Sequence, residues 1–226
     1  FLNIFFMHSS IKNLIDIKNQ IKSQIKDSNN KDFIPNIIAV SKTFSMDHIL
    51  PLIEYGHMHF GENKIQEAIS KWQNVKEKNA NLKLHLIGKL QTNKVKFALM
   101  LFDYIHSLDS RKLADKISVE QKKINKKPKI FIQINIGNEI QKNGINPEYL
   151  EDFYKYCVTL NLNVVGTMCI PPLNDDSVKY FMRMRYLNDK FNFRELSMGM
   201  SSDYLDAVKN GATYLRIGSG IFGQRN

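Results

Sequence analysis

Cysteine, tryptophan, arginine and long apolar runs are all sparse in this chain, and each shortage closes off a class of protein. Cys157 and Cys169 are the only cysteines. They fall on segments that read as a helix and a strand, without CxxC or His/Cys ligand spacing, which argues against a structural zinc site. Buried free thiols in a reducing cytoplasm are the expectation. No apolar run reaches transmembrane length. No long Pro/Gly/Ser-rich linker divides the 226 residues, so residues 1–226 read as one domain with a substantial core. Arginine is the preferred residue for bidentate phosphate and base contacts, and its scarcity weighs against reading the net charge of +10 as nucleic-acid binding. The lysines are scattered, and the densest cluster, Lys122-Lys123-Ile124-Asn125-Lys126-Lys127, reads as a solvated helix end and loop.

The start, Phe1-Leu2-Asn3-Ile4-Phe5-Phe6-Met7, is apolar and lacks a basic leader or a small-residue cleavage site. Residues 1–8 are expected to be disordered or a start artefact with Met7 as initiator; a structural role is the alternative.

What is present is alternation. Eight short, mostly apolar runs read as strands: 37–43, 58–61, 82–88, 104–108, 129–135, 164–170, 195–198 and 213–218. Helical patterns lie between them. Ser45, Thr92, Ser110 and Asn146 stand where N-caps belong, and Ser201-Ser202-Asp203 opens a helix from Tyr204 to Lys209 that Gly211 ends. A further helix, 11–25, precedes the first strand. Alternating strand and helix implies parallel pairing, and eight units closing on themselves make a TIM-like (β/α)8 barrel with an extra N-terminal helix. An open doubly wound sheet is the alternative, but no GxGxxG follows the first strand.

Barrel geometry then selects residues. Lys42 ends strand one, Met198-Gly199-Met200-Ser201 follows strand seven, and Gly218-Ser219-Gly220 follows strand eight. In a closed barrel strands eight and one are neighbours, so an amine and a glycine-rich cup of backbone N–H groups share one rim. An amine beside a phosphate cup suits an aldehyde carrying a phosphate, and pyridoxal 5'-phosphate is the common molecule of that kind. Only a neutral amine attacks an aldehyde, so partial burial of Lys42 is expected to help by disfavouring its charge. Ser201, Gly218 and Ser219 are the candidates for the phosphate, with Ser197 and Met200 weaker. Arg216 shares the strand face of Gly218 and is either a cofactor contact or a barrel-closing salt bridge. Asn63 either bonds a cofactor edge or caps the next helix. Met168 and Met198 either pack against a ring or fill core. His85 is expected to be a hydrogen-bonded core histidine, and His57-Met58-His59 is weak evidence for a metal without a third ligand.

These segments together resemble the YggS/PROSC family, the pyridoxal phosphate homeostasis proteins. The resemblance rests on Ala39-Val40-Ser41-Lys42-Thr43, Phe60-Gly61-Glu62-Asn63, His85-Leu86-Ile87-Gly88-Lys89-Leu90-Gln91-Thr92-Asn93-Lys94, Gln133-Ile134-Asn135-Ile136, Gly166-Thr167-Met168, Leu196-Ser197-Met198-Gly199-Met200-Ser201 and Arg216-Ile217-Gly218, spread over roughly residues 9 to 225. It implies a barrel like the N-terminal domain of alanine racemase, one pyridoxal phosphate held as a Schiff base on Lys42, and Arg216 near the pyridine nitrogen. It also implies a role in vitamin B6 balance, with possible handover to apo-enzymes and no established turnover, so no catalytic residue is assigned. Thr167 stands where the family usually has Leu, Ser202 where a second acidic residue is common, and Gly137 for a frequent Ser, while the stretch between Phe191 and Leu196 is shortened. None of these removes an expected cofactor contact.

The alternative is an amino-acid racemase. Two-base racemization needs an acid/base on each face of the carbanion. Alanine racemase presents a tyrosine from a second domain and subunit, and with the chain stopping at Asn226 that domain is expected to be missing. A basic nucleic-acid-binding protein is a third class, which no aromatic-basic RNA motif or helix-turn-helix signature supports. The expectation is a cytoplasmic monomer with no metal, membrane or nucleic-acid partner.

Overall fold

The structure, a computed structural model, describes residues 7–26 and 33–224. The apolar stretch Phe1–Phe6 lies outside the described residues.

Eight parallel strands close into a barrel in chain order. They are β1 (Asn36–Val40), β2 (His59–Glu62), β3 (Lys83–Leu86), β4 (Tyr104–Leu108), β5 (Lys129–Ile134), β6 (Val164–Cys169), β7 (Glu195–Ser197) and β8 (Tyr214–Ile217). The helices are α1 (Ser9–Lys26), α2 (Met46–Glu54), α3 (Ile65–Lys78), α4 (Val95–Leu101), α5 (Arg111–Ile124), α6 (Leu150–Thr159), α7 (Ser177–Lys190), α8 (Tyr204–Lys209) and the single turn α9 (Ser219–Phe222). The expected (β/α)8 barrel with an N-terminal helix is the fold observed. Every residue of β4 and of β8 is buried, as strands covered on both faces require.

Strand alternation separates two cores. One face of the strands joins the helices in a large apolar cluster that includes Ile37, Ala39, Leu215 and Ile217. The other face points into the barrel, where Ile38, Tyr104, Phe131, Met168 and Tyr214 form a small inner cluster. On β8 the inward set is therefore Tyr214 and Arg216, and on β1 it is Ile38 and Val40.

Local signals worked unevenly. Ser110 caps α5, accepting Leu113 N–H at 3.4 Å, and Asn146 accepts Glu148 N–H at 2.9 Å where Pro147 opens a 3-10 turn into α6. Asn63 is not a cap. β2 runs one residue further than expected, to Glu62, so the cap position of α3 passes to Lys64. Thr92 lies inside a 3-10 turn, Thr92–Lys94, that tightens the entry to α4. Thr167 turns its hydroxyl to Asn188 Oδ1 on α7 at 3.0 Å, and Asn188 Nδ2 donates to the Phe193 carbonyl at 2.9 Å. That pair anchors the short connection between α7 and β7.

Candidate functional site

β1 ends at Val40, two residues before Lys42. Ser41 N–H still bonds the Gly61 carbonyl at 3.0 Å, and the chain then turns, with Thr43 at φ 69°. Lys42 sits in this turn, half-buried, rather than on the strand. β8 pairs with β1 in parallel, with Ala39 opposite Ile217. A Cβ added to Gly218 would stand 3.5 Å from Val40 Cβ. The two segments also meet through side chains, because Phe44 stacks on Phe222 with centroids 4.7 Å apart. The turn that carries Lys42 and the segment Gly218-Ser219-Gly220 thus occupy adjoining stations on the rim at the strands' C-terminal ends.

The loop after β7 is tied to the same segment. Gly220 N–H donates to Ser201 Oγ at 3.1 Å. Ser201 therefore faces the glycines and leaves the cap position of α8 to Asp203, whose Oδ1 accepts Met200 N–H at 2.6 Å. A serine hydroxyl that accepts one bond still has its own hydrogen to donate. The fit around Gly220 is close: a Cβ there would lie 3.0 Å from Ile217 Cγ2 and 3.5 Å from Ser201 Oγ. Ser219 and Gly220 are exposed and Gly218 half-buried.

Arg216 lies just below, 5% exposed. Nη1 donates to Ser197 Oγ and Nη2 to the Cys169 carbonyl oxygen, both at 2.7 Å. It forms no salt bridge among the described residues, so the barrel-closing ion pair is not its role. Burial lowers its pKa from the ordinary arginine value. A buried cation without a carboxylate is costly, and it makes the space above it favourable for an acceptor or an anion.

Below Arg216 runs a chain of imidazoles that the sequence reading took only in part. His106 Nδ1 meets Ser197 Oγ at 3.0 Å, His106 Nε2 meets His85 Nδ1 at 2.9 Å, and His85 Nε2 meets His59 Nδ1 at 2.9 Å. Arginine can only donate, so Ser197 accepts from Arg216, and a hydroxyl hydrogen directed at His106 Nδ1 satisfies both neighbours. His106 then carries its proton on Nε2 and gives it to His85 Nδ1, and His85 does the same toward His59. The order holds only if the rings are neutral. Burial first, then neighbouring positive groups, holds His85 and His106 well below the usual histidine range. Burial likewise takes His57 and His59 down to about 4. His85 stacks on Tyr104 and His106 on Phe131, with centroids 4.1 and 4.2 Å apart. The available signal was parity: three histidines at inward positions of three consecutive strands.

Asn63 follows β2 on the same rim, half-buried. A Cβ on Gly88 would sit 2.4 Å from its carbonyl oxygen, so the segment after β3 is packed hard against it. Met198 is fully buried in the large cluster, whereas Met168 belongs to the inner one. His57 turns to the His59 carbonyl at 2.9 Å and His59 to His85, so the two do not converge on one point. Cys157 and Cys169 are free and buried, and burial pushes both thiols up to about 12. No helix among the described residues is long and apolar enough to cross a membrane.

The family model described as "Alanine racemase, N-terminal domain" matches residues 16–226. A pyridoxal phosphate homeostasis protein of Aquifex aeolicus is 38% identical over 199 residues, covering 84% of this chain and 86% of that one. One of Haemophilus influenzae is 36% identical over 226 residues, covering 95% of each. Among solved structures, PipY of Synechococcus elongatus with PLP bound superposes with a TM-score of 0.81 at 32% identity, covering 95% of this chain and 100% of that one. The chain therefore belongs to the alanine racemase N-terminal domain family and, within it, to the pyridoxal phosphate homeostasis proteins.

Proposed function

We propose that this chain is a single cofactor-binding barrel domain, 1–226, that holds pyridoxal 5'-phosphate and helps to balance the vitamin B6 pool of a reducing cytoplasm. The observation that carries the reading is the shared rim. The turn bearing Lys42 and the segment at Gly218 extend from paired strands, and Arg216 lies beneath them with no salt bridge among the described residues. The residues present suit the molecule. A phosphate would be met by Ser201, Gly218 and Ser219, where backbone N–H groups and a hydroxyl cluster, and Asn63 and Met198 complete the proposed set.

When bound, pyridoxal phosphate supplies an aldehyde that a lysine amine can hold and a ring nitrogen that can accept a hydrogen bond. Lys42 Nζ is the proposed attachment point. Arg216 is permanently cationic and can only donate. Facing the ring nitrogen, it would keep that nitrogen unprotonated, which favours holding the cofactor over stabilising carbanions. The role proposed is accordingly binding and release, with apo-enzymes as recipients, by a monomer without turnover of its own. The two bacterial relatives above carry the homeostasis name, and the PipY structure contains PLP, which supports this reading.

Purified protein mixed with pyridoxal phosphate is expected to absorb near the visible edge, and Lys42→Ala to remove that band. Borohydride reduction followed by peptide mapping should place the label on Lys42. A band of undiminished size in Lys42→Ala would overturn the reading, and steady interconversion of L- and D-alanine lost in that variant would replace it with a racemase.

A further inference from the structure

The turn that carries Lys42 is gripped from α3. Glu67 Oε1 accepts Thr43 N–H at 2.7 Å, directly after the lysine. Lys71, one helical turn further along α3, donates to the Ser41 carbonyl oxygen at 2.9 Å, directly before it. Lys71 Nζ also bonds Glu62 Oε1 at 3.0 Å and Glu67 Oε1 at 3.3 Å. Glu62 Oε1 receives Ser41 Oγ–H at 2.8 Å and Trp72 Nε1–H at 2.9 Å. Both flanks of Lys42 are therefore held by backbone bonds to charged side chains of one helix.

The grip maintains a conformation that the sequence disfavours. Thr43 is β-branched and sits at φ 69°, a region such residues seldom occupy. Glycine would be the easy choice, and it would leave the turn loose. A threonine held there by a charge-assisted bond gives a turn with one geometry. Glu67 is partly exposed and Lys71 nearly buried, so the pair is accessible to mutation without opening the core.

We infer that Glu67 is a positioning residue for Lys42: by accepting Thr43 N–H it fixes the turn, and so the direction from which Lys42 Nζ meets an aldehyde held over the glycine cup. Lys71 supplies the matching hold on Ser41. The inference rests on the reading that Lys42 is the attachment point. In the step concerned, a bond forms from Nζ to the aldehyde carbon, the aldehyde oxygen leaves as water, and the proton of the lysine ammonium passes to solvent. Glu67 takes no part in those transfers.

The test separates reach from charge. Glu67→Gln keeps an oxygen at the same reach and loses the charge. Glu67→Asp keeps the charge and falls one methylene short of Thr43 N. Two quantities are measured for each: the rate at which pyridoxal phosphate becomes trapped on Lys42 by borohydride, read by peptide mapping, and the affinity for pyridoxine 5'-phosphate, which has the phosphate and ring but no aldehyde. Glu67→Asp is expected to trap about tenfold more slowly with unchanged pyridoxine phosphate affinity, while Glu67→Gln stays near the wild-type rate. A wild-type rate in Glu67→Asp would overturn the inference. So would Glu67→Gln as slow as Glu67→Asp, or a proportional loss of pyridoxine phosphate affinity, which would mean general damage. Label persisting undiminished in Lys42→Ala would instead overturn the attachment point itself, and is distinguishable because it involves neither Glu67 variant.

Discussion

Arg216 Nη1 donates to Ser197 Oγ at 2.7 Å across the neighbouring strands β8 and β7, and this bond sets the polarity of everything beneath it. The serine hydroxyl joins a cation that can only donate to an imidazole whose Nδ1 accepts when the ring carries its proton on Nε2. Ser197→Ala deletes that joint and leaves a guanidinium donor and His106 Nδ1 unsatisfied in a buried place. The expected loss of stability is about 1–3 kcal/mol, checked by urea unfolding. The near-visible band of the cofactor-loaded protein should also shift, because Arg216 loses one of its two anchors.

His57 makes the stability depend on pH. Burial lowers its pKa from 6.5 to about 4. Between those values the unfolded chain binds a proton that the folded chain refuses, so stability rises with pH across the window and is lost as pH falls from about 6.5 to about 4. Each histidine behaving this way contributes a slope of about 1.4 kcal/mol per pH unit. His57→Gln retains a donor that can reach the His59 carbonyl and cannot titrate. Urea midpoints at pH 7, 6 and 5 should show a shallower fall in His57→Gln than in the wild type.

Glu62 is a fully buried carboxylate whose Oε1 is shared by Ser41, Lys71 and Trp72. Glu62→Leu removes the buried acceptor and leaves the nearly buried Lys71 ammonium with Glu67 as its one carboxylate partner among the described residues. Breaking such a pair from one side costs about 3–5 kcal/mol, which urea unfolding should register as a large fall in midpoint with little change in slope. A double variant with Lys71→Met should recover part of the loss, since the nearly buried charge is then gone as well.

Gly199 holds the loop after β7 at φ 90°, and a Cβ there would lie 2.5 Å from Ala207 Cβ on α8. Gly199→Ala therefore combines backbone strain with a clash. A loss of more than about 1 kcal/mol is expected, together with weaker retention of pyridoxine 5'-phosphate, because the displaced loop carries Ser201.

The barrel was legible because its strands are short, apolar and regularly interrupted, and because β1 and β8 had to become neighbours once eight units were counted. That argument alone put Lys42, Ser201 and Gly218 on one rim, with Arg216 on the strand face of Gly218. It ran out where one side chain had two uses. Ser201 looked like a helix cap, yet its hydroxyl serves Gly220 N–H across a loop, a partner 19 positions away that no local pattern announces. Asn63 looked like a cap for the converse reason: β2 extends one residue further because Glu62 is stabilised from inside by three donors, and a charged residue does not advertise itself as strand. The imidazole chain escaped notice because histidines on separate strands become a series only after register is known. Thr43 gave no hint of a left-handed turn, since its conformation is imposed from α3.

The seam between β1 and β8 has a consequence for synthesis. Asn13 on α1 donates to the Ile221 carbonyl at 2.9 Å, and Tyr204 OH donates to Gln20 Oε1 at 2.7 Å, so the helix that precedes β1 is fastened to the two helices that flank β8. A nascent chain short of β8 would lack the strand that closes the barrel onto β1 and the partners of α1 that follow β7. On the proposed reading, capture of the cofactor would wait for β8, which brings Arg216 and leads into Gly218-Ser219-Gly220.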